Sequence, residues 1–250
     1  MTRLDCVLGS AGLIRRALAE ATHHAAHRRA FGAFLVDQPL MRTVLADLCV
    51  ESEAATALAV RLARAADEAE AGDDQAALFR RLGAAVGKYH VCKTAVGVVA
   101  EALECLGGNG YVEESGMPRL YRETPLNSIW EGSGNVNALD VARILTRSPE
   151  TLDAFLAEVD LAAGADRRLD EHAAGLKRGT RQDLEGGARR IAEDLATALQ
   201  GSLLVRHASP EVADAFCATR LAGEGGRSYG TLPPGMDAGS IVDRHRPGVD

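Results

Sequence analysis

Apolar residues recur at three- and four-residue spacing along most of this chain, which is the period of helices with one buried face. Residues 10–30 predict a first helix. Its apolar stripe consists of Leu13, Ala17, Leu18, Ala21 and Ala25. After a break at Phe31–Gly32, residues 39–70 predict a second helix. Pro39 stands near the start of this helix, where the missing N–H of proline costs no hydrogen bond.

A third helix is predicted after AGDDQ at residues 71–75, which holds a glycine to end one helix and an aspartate to cap the next. Its stripe consists of Leu78, Leu82, Ala85, Tyr89, Cys92, Val96, Val99 and Leu103. The helix ends at the glycine-rich stretch 106–110, and shorter segments follow at 119–128 and 134–147. Two helices of about 30 residues joined by a short turn are typical of an antiparallel up-down bundle. Because no stretch alternates like a strand, the predicted fold class is all-α, of the up-down four-helix-bundle type.

The character of the sequence changes near residue 148. We expect a boundary there, between a helical bundle of residues 1–148 and an extension of residues 149–250 that docks on it. Within the extension, the pattern predicts helices at 150–162 and 185–205. The tail from Gly223 onward is rich in glycine and proline and is predicted to be irregular.

Composition narrows the class of protein. The chain has 250 residues and no run of about 18 apolar residues, so nothing in it is expected to span a membrane. We see no secretion signal at the N-terminus, and the five cysteines are scattered without CxxC pairs, which indicates reduced thiols in a cytoplasmic protein. The net charge of −7 argues against nucleic-acid binding by the chain as a whole.

The stretch NSIWEGSGN, residues 127–135, holds the only tryptophan beside a glutamate and two glycines. Ser133 stands just before a helical run that it could cap, and the glycines permit positive φ angles and a close approach of a ligand. Glu131 lies next to the free amides of a helix N-terminus, an arrangement suited to removing a proton next to a carbonyl group. The alternative interpretation is an ordinary exposed turn with a capping serine.

Two further stretches carry candidate ligand-binding residues. RRAFG at residues 28–32 places two arginines beside an aromatic residue and a glycine at a helix break, which suits the binding of a phosphate group. LGGNGY at residues 106–111 has three glycines at a helix end, more than a C-cap requires.

Together and in this order, these stretches resemble the C-terminal helical domain of the acyl-CoA dehydrogenase family. The run GGNGY…PRLYRETPLNSIWEGSGN, the opening RLDCVLGSAGLIRRA and the run QPLMRTVLADL are most similar to the AidB-type, alkylation-response branch of that family. The resemblance covers most of residues 3–147 and continues more weakly to the end of the chain.

The resemblance implies a flavoprotein that dehydrogenates an acyl-CoA-like thioester. Glu131 matches the family's catalytic glutamate, which removes the α-proton while the β-hydrogen leaves as hydride to FAD. By the same likeness, the backbone N–H of Glu131 helps hold the thioester carbonyl, and Gly132 approaches the substrate. Trp130 stands where a tyrosine is more usual and would narrow the acyl pocket.

The resemblance also implies contacts with FAD. The matching positions are Arg28, Phe31, Glu104, Gly107, Gly108, Ser133 and Asn135. Arg28 and Phe31 match residues that typically reach FAD across a subunit interface, so a homo-oligomer is expected. Glu104 departs from the pattern, because many relatives have glutamine there and a carboxylate near a diphosphate is unfavourable. We further expect the segments around Glu131, Arg28 and Gly107 to line one crevice.

Family members build their active site from an N-terminal helical domain, a middle β-domain and this bundle. The chain has no counterpart of the first two, so it is expected to contribute half of a cofactor site, with a partner chain as one source of the missing domains. The isolated chain is then expected to be colourless when purified.

Two other function classes stay open. The AidB-type branch is associated with duplex DNA through its C-terminal region, and residues 167–190 contain seven basic residues. Five acidic residues lie among them or directly before them, namely Asp166, Asp170, Glu171, Asp183 and Glu185. That mixture is also typical of a solvated amphipathic helix. The other alternative is a non-catalytic oligomerisation domain, since bare apolar stripes would associate.

Four side chains outside these motifs have candidate chemistry. His23 and His27 lie one helical turn apart, a spacing that can bind a metal, but no third ligand completes a site and the family uses no metal here, so we interpret them as part of a polar helix face. Lys88 and Lys93 flank an apolar face, and we interpret them as snorkelling or capping residues, not catalytic ones.

Overall fold

A computed structural model of the chain describes residues 2–179 and 184–246, and these residues are helical almost throughout. The helices are α1 (Thr2–His27), α2 (Pro39–Glu70), α3 (Asp74–Cys105), α4 (Gly108–Tyr111), α5 (Met117–Asn127), α6 (Gly134–Arg147), α7 (Glu150–Asp160), α8 (Arg167–Gly179), α9 (Ala188–His207), α10 (Pro210–Phe216) and α11 (Ala238–Asp243). Short 3-10 turns cover Leu35–Asp37 and Glu113–Ser115, and a π-helical turn covers Cys217–Leu221. The predicted all-α class is confirmed.

The reversal between α2 and α3 follows from three residues. Gly72 has a φ angle of +98°, a left-handed conformation that ends α2. Asp73 then caps α3, because its carboxylate accepts hydrogen bonds from the backbone N–H groups of Gln75 and Ala76. The short turn makes the two helices antiparallel neighbours, as the sequence predicts.

Small residues bring α2 and α3 close together. A Cβ atom added at Gly83 or Gly87 would lie only 2.7 or 2.8 Å from the side chain of Leu62, and one at Gly87 would lie 2.9 Å from Leu58. The helix backbones therefore approach each other where the leucines cross them. From this position α3 also contacts α1, α5, α6, α7 and α9, so it forms the centre of the molecule.

Helices α1 and α3 run in the same direction. Val7 lies against Gly87, and further along both helices the hydroxyl of Ser10 donates to the Cys92 thiol at 3.3 Å. The end of α1 and the end of α3 consequently lie at the same end of the bundle, and their starts lie at the other. This polarity determines where the candidate site residues lie.

The first helix differs from its prediction at both ends. It begins at Thr2, ahead of the predicted residue 10, because Leu4 and Val7 extend the buried stripe by two turns. After the helix, β1 (Arg29–Ala30) pairs with β2 (Ala33–Phe34) in a minimal antiparallel hairpin. The predicted break at Phe31–Gly32 is therefore the tip of this hairpin, whose two-residue strands are too short to show an alternating pattern in the sequence.

The extension packs against the bundle over a shared apolar core. The Phe155 ring of α7 stacks on Phe79 of α3 with 5.6 Å between ring centroids. The Glu158 carboxylate, nearly buried, accepts from Arg61 of α2 at 2.8 Å and from Arg206 of α9 at 2.7 Å. The hydrophobic core includes residues from both sides of the predicted boundary. Placing that boundary near residue 148 stays a prediction.

The tail is more ordered than predicted. Helix α11 buries Ile241 and Val242 against α2. The following Arg244 donates a hydrogen bond to the Glu53 carboxylate, and the His245 ring lies within hydrogen-bond distance of the same carboxylate. The irregular interpretation is correct for the remaining described residues but wrong for this helix. Residues 247–250 of the tail and 180–183 of the basic segment lie outside the described residues.

The described helices include none that is long and apolar enough to cross a membrane. All five cysteines are buried and unpaired. Within residues 2–179 and 184–246, no group of three or more His, Cys, Asp or Glu side chains is arranged to hold a metal ion.

Candidate active site

The WEGSG stretch forms a left-handed turn between α5 and α6. Glu131 has a φ angle of +55° and Gly132 one of +101°. Glutamate rarely adopts this conformation, which for an L-residue costs about 1–2 kcal/mol. The turn lifts the Glu131 side chain to the surface at the start of α6, where it is exposed.

The Glu131 carboxylate is tethered even though it is exposed. Its Oε2 accepts a hydrogen bond of 2.6 Å from the hydroxyl of Thr2, the first residue of α1. The carboxylate thus stands over the start of α1 and does not point freely into solvent. The Trp130 side chain beside it is half-exposed, at 51%, and forms an apolar wall next to the acid.

A buried lysine supports the turn from inside. Lys88 of α3 is only 1% exposed, and its Nζ donates a hydrogen bond of 2.8 Å to the backbone carbonyl of Gly132. Burial lowers the pKa of the Lys88 ammonium, and the nearby Arg3 lowers it further, while Cys92, Cys6 and Glu131 act against this. The interpretation of Lys88 as a snorkelling residue is therefore wrong, because its charge is held inside by a carbonyl acceptor.

A second donor reaches the same carbonyl. Asn137 of α6 is fully buried, and its Nδ2 donates to the carbonyl oxygens of both Gly132 and Ser133, the latter at 3.1 Å. Its Oδ1 is buried without a hydrogen-bond partner. The sequence reasoning missed Lys88 and Asn137 as site residues. A signal existed for Lys88, since it stands in the apolar run GAAVGKYHV.

The Cys6 thiol lies under the tryptophan. Burial raises the pKa of this thiol, Lys88 and the Trp130 indole lower it, and Glu131 raises it. The neighbouring Cys92 thiol lies 3.5 Å from the Cys6 carbonyl. These thiols pack beneath the turn as buried side chains and are not exposed nucleophiles.

The start of α6 has free amides and nearby positive charge. Ser133 occupies the N-cap position, but its hydroxyl makes no capping hydrogen bond, so the predicted capping role is not observed. A Cβ atom added at Gly134 would lie 3.3 Å from Nζ of Lys93 and 3.4 Å from Nη2 of Arg189. Lys93 is exposed, as expected of a snorkelling residue, and Asn135 is exposed beside it. Amides and two cations at this helix start suit an anion.

The other predicted cofactor residues lie beyond the ends of α1 and α3. The Phe31 ring is 95% exposed at the hairpin tip, with a φ angle of +53°, and Arg28 beside it is also exposed. Gly107 follows α3 with a φ angle of +58°, and Gly108 begins α4. Glu104 is exposed on the last turn of α3.

These two groups of residues do not meet in one chain. Glu131 contacts Thr2 at the start of α1, whereas Arg28 follows the end of that 26-residue helix, so they lie about 38 Å apart at 1.5 Å per residue. Gly107 lies at the far end as well, about 28 Å beyond Lys88 in the direction of α3 at 1.5 Å per residue. The expectation of a single crevice lined by all three segments is wrong within one chain, because α1 and α3 run parallel.

The basic segment at residues 167–190, on which the DNA-binding alternative rests, forms ion pairs within the chain. In the basic segment, Arg168 pairs with Asp166 at 2.6 Å and with Asp214 at 2.7 Å, and Lys177 pairs with Asp160 at 2.8 Å. Part of its positive charge is thus compensated, which does not favour DNA binding. Arg181 and Asp183 of this segment lie outside the described residues. The His23 and His27 rings contact each other in a tilted arrangement, with centroids 4.4 Å apart.

Comparisons with known proteins agree with this fold. The family profile "Acyl-CoA dehydrogenase, C-terminal domain" matches residues 1–146. Over 226 residues the chain is 43% identical to the putative acyl-CoA dehydrogenase AidB of Escherichia coli (strain K12), covering 90% of this chain and 41% of that protein. The chain therefore spans less than half the length of this curated relative.

Solved structures show the same architecture. The fold resembles Caenorhabditis elegans ACDH-11 in complex with C11-CoA, with a TM-score of 0.82 and 30% identity over 88% of this chain and 42% of that one. It also resembles an acyl-CoA dehydrogenase complexed with FAD from Bacillus anthracis, with a TM-score of 0.67 and 15% identity, covering 99% of this chain and 52% of the other. Since the profile covers more than half of the chain, this protein belongs to the acyl-CoA dehydrogenase family, and its bundle is that family's C-terminal helical domain.

Proposed function

We propose that this chain is the C-terminal part of an FAD-dependent acyl-CoA dehydrogenase-type enzyme in which Glu131 removes the α-proton of an acyl thioester. The observation that carries the proposal is the exposed Glu131 carboxylate on a left-handed turn supported from beneath by Lys88 and Asn137. A base must reach its proton in a fixed geometry, and a supported turn provides that geometry.

Each residue of the turn has a part in this proposal. Glu131 accepts the proton, and its backbone N–H orients the thioester carbonyl. Gly132 approaches the substrate through its backbone, and the turn itself requires a glycine there, since an added Cβ would lie 3.0 Å from Val136 and 3.1 Å from Asn137. Trp130 forms one wall of the acyl pocket with its exposed face. Thr2 would exchange its hydrogen bond to the carboxylate when substrate binds.

The residues proposed to hold FAD form two sets that fit different parts of it. Ser133 and Asn135 lie at the start of α6, where free amides, Lys93 and Arg189 suit a phosphate group. The second set lies at the far end of the bundle and consists of Arg28, Phe31, Glu104, Gly107 and Gly108. When bound, FAD would supply the hydride acceptor for the β-hydrogen.

One chain cannot bring both sets to one flavin, so we propose a homo-oligomer in which the second set comes from another copy. The 95% exposure of the Phe31 ring supports this proposal, because an exposed aromatic tip is suited to insertion into a neighbour. Glu104 still places a carboxylate near the cofactor, which favours a contact with the adenosine over one with the diphosphate.

The proposal extends to the cellular setting. Five buried, unpaired thiols suit a reducing compartment such as the cytoplasm. The β-domain and N-terminal domain of relatives have no counterpart in this chain, so we propose that activity requires them, in the same polypeptide or in a partner chain.

A chimera tests the proposed function. The part of the Escherichia coli relative that has no counterpart here is joined to the start of this chain, and flavin content and flavin bleaching by saturated acyl-CoAs of graded length are measured without oxygen. We expect bound flavin and bleaching, with a fall in rate of about 10²- to 10⁴-fold in Glu131→Gln. A Glu131→Gln chimera that bleaches at the parental rate would refute the role of Glu131.

Oligomer formation is tested with the same protein. Light scattering coupled to size exclusion is expected to show dimers or larger assemblies. Arg28→Ala is expected to lower flavin content without lowering the urea midpoint, since Arg28 is exposed. A monomeric chimera with full flavin content would contradict the shared site.

A further inference from the structure

Lys88 is a buried lysine beneath the turn that carries the proposed base. It is among the largest fully buried side chains, and no carboxylate of the described residues forms an ion pair with it. Its printed hydrogen-bond partner is the Gly132 carbonyl, at 2.8 Å. Burying an ammonium is costly unless hydrogen bonds compensate for its lost hydration, and the Gly132 carbonyl provides such a bond here.

We propose that Lys88 is a positioning residue: by holding the Gly132 carbonyl it keeps Glu131 and Gly132 in the left-handed conformation that presents the Glu131 carboxylate. The proposal rests on the proposed role of Glu131 as the base. Lys88 itself touches no ligand, because it lies beneath the turn with 1% of its surface exposed.

The position of the Gly132 carbonyl in the turn explains why it determines the conformation of Glu131. Gly132 O belongs to the peptide unit directly after the two left-handed residues, so its direction fixes how they turn. It accepts from Lys88 of α3 and from Asn137 of α6, which uses both lone pairs of the oxygen. Side chains from two helices thus fix the direction of this carbonyl, which holds the adjoining Glu131 backbone in its left-handed conformation.

The lysine and the asparagine are not equivalent. Asn137 lies five residues after Gly132 on the adjoining helix and would move with the turn. Lys88 comes from α3, the central helix, which is independent of the turn in sequence. The Lys88 contact therefore anchors the backbone of the turn to the central helix, whereas Thr2 holds only the side chain of Glu131. Without Lys88, the Gly132 carbonyl keeps only the Asn137 donor, which moves with the turn.

The experiment compares Lys88→Met with Lys177→Met. Methionine is unbranched and nearly as large as lysine but one atom shorter, and it donates no hydrogen bond. Lys177 is an exposed lysine paired with Asp160 away from the turn. Amide hydrogen exchange of the 250-residue chain is measured by mass spectrometry. In Lys88→Met we expect exchange of residues 131–137 to accelerate about tenfold or more, with α2 unchanged, since hydrogen bonds to charged groups contribute strongly.

Two outcomes overturn the proposal. One is unchanged exchange at residues 131–137 in Lys88→Met. The other is a uniform acceleration over the whole chain, which is the sign of a merely structural lysine. Lys177→Met is expected to change neither region.

A measurement on the unsubstituted chain guards against a variant that does not fold. In nitrogen-detected NMR spectra, the Nζ protons of Lys88 are expected to exchange slowly with water and to show coupling to the Gly132 carbonyl carbon, whereas those of Lys93 and Lys177 exchange fast. Rapid exchange of the Lys88 Nζ protons would also overturn the proposal.

Kinetics of the chimera separate this inference from the proposed function. Lys88→Met is expected to lower kcat about tenfold or more while KM stays within about twofold, because the base is misplaced but the binding surface is kept. If Glu131→Gln has no effect, the proposed function fails whatever Lys88 does. If Glu131→Gln abolishes bleaching while Lys88→Met leaves kcat unchanged, only the positioning role fails.

Discussion

The hydroxyl of Thr2 donates to the carboxylate of Glu131 at 2.6 Å, joining the start of the first helix to a turn 129 positions later in the chain. The contact is exposed, and it lies near a second direct link between α1 and α6, the ion pair of Arg3 and Asp140. It orients the candidate base without burying it, so a substrate could replace the hydroxyl. We infer that this hydrogen bond orients the carboxylate and contributes little to the free energy of unfolding.

Replacement of Thr2 by valine tests this interpretation. Valine keeps the branched shape but removes the donor, and an exposed hydrogen bond adds little to stability because water can take its place. We expect the free energy of unfolding in urea to change by less than about 0.5 kcal/mol. A loss several times larger would mean that the tether supports the fold itself.

Gly132→Ala is expected to destabilise the chain by about 2 kcal/mol, since alanine is strained at a φ angle of +101° and its methyl group would lie 3.0 Å from Val136. Gly72→Ala is the matched control, because Gly72 has a φ angle of +98° and nothing within 4 Å of an added Cβ. The control is expected to cost about 1 kcal/mol. Equal urea midpoints for both variants would show that the crowding beneath the turn is unimportant.

Arg220 is expected to be essential for docking of the extension. Its guanidinium pairs with Asp47 at 2.5 Å and with Glu51 at 2.8 Å, both nearly buried on α2. Arg220→Met leaves these carboxylates without their cation, which is expected to cost about 3–5 kcal/mol of the free energy of unfolding. The exposed pair of Arg122 and Glu113 is the control, and Arg122→Ala is expected to leave the urea midpoint nearly unchanged.

Stability is expected to fall in acid through Glu158. Burial by itself raises the pKa of this carboxyl, but the hydrogen bonds from Arg61 and Arg206 outweigh it and hold the pKa below its usual value. A lowered folded-state pKa stabilises the fold above the unfolded pKa of about 4.3, and this contribution is lost as the pH falls through the folded pKa. Urea midpoints measured from neutral pH downward should therefore fall below about pH 5, and less steeply in Glu158→Gln.

A chain of residues 1–148 alone is expected to be unstable. Removing the extension exposes the apolar surface of α3 on which Phe155 packs, together with the surface of α2 and α6 that α9 covers. We expect a lower urea midpoint than the full chain and aggregation detectable by light scattering. A monomeric fragment with the full-length midpoint would make the predicted boundary near 148 a division into independent domains.

The sequence by itself determined the helices wherever a signal is local. The bounds of α2 and α6 agree with residues 39–70 and 134–147, because Pro39 begins one helix and the glycines before α6 begin the other. Asp73 caps α3 as its position predicts. The motif WEGSG also places Glu131 correctly on an exposed turn, since turn conformation depends on the glycines within it.

Only the tertiary structure decided which distant residues meet. Periodicity identifies the buried face of a helix but not the direction of its neighbours, so the parallel course of α1 and α3 could not be predicted from the sequence. For the same reason, the separation of Arg28 from Glu131 could not be predicted either. Burial of a charge depends in the same way on an acceptor from another element. Lys88 can be buried because the carbonyl of Gly132, 44 positions later in the chain, accepts a hydrogen bond from its Nζ.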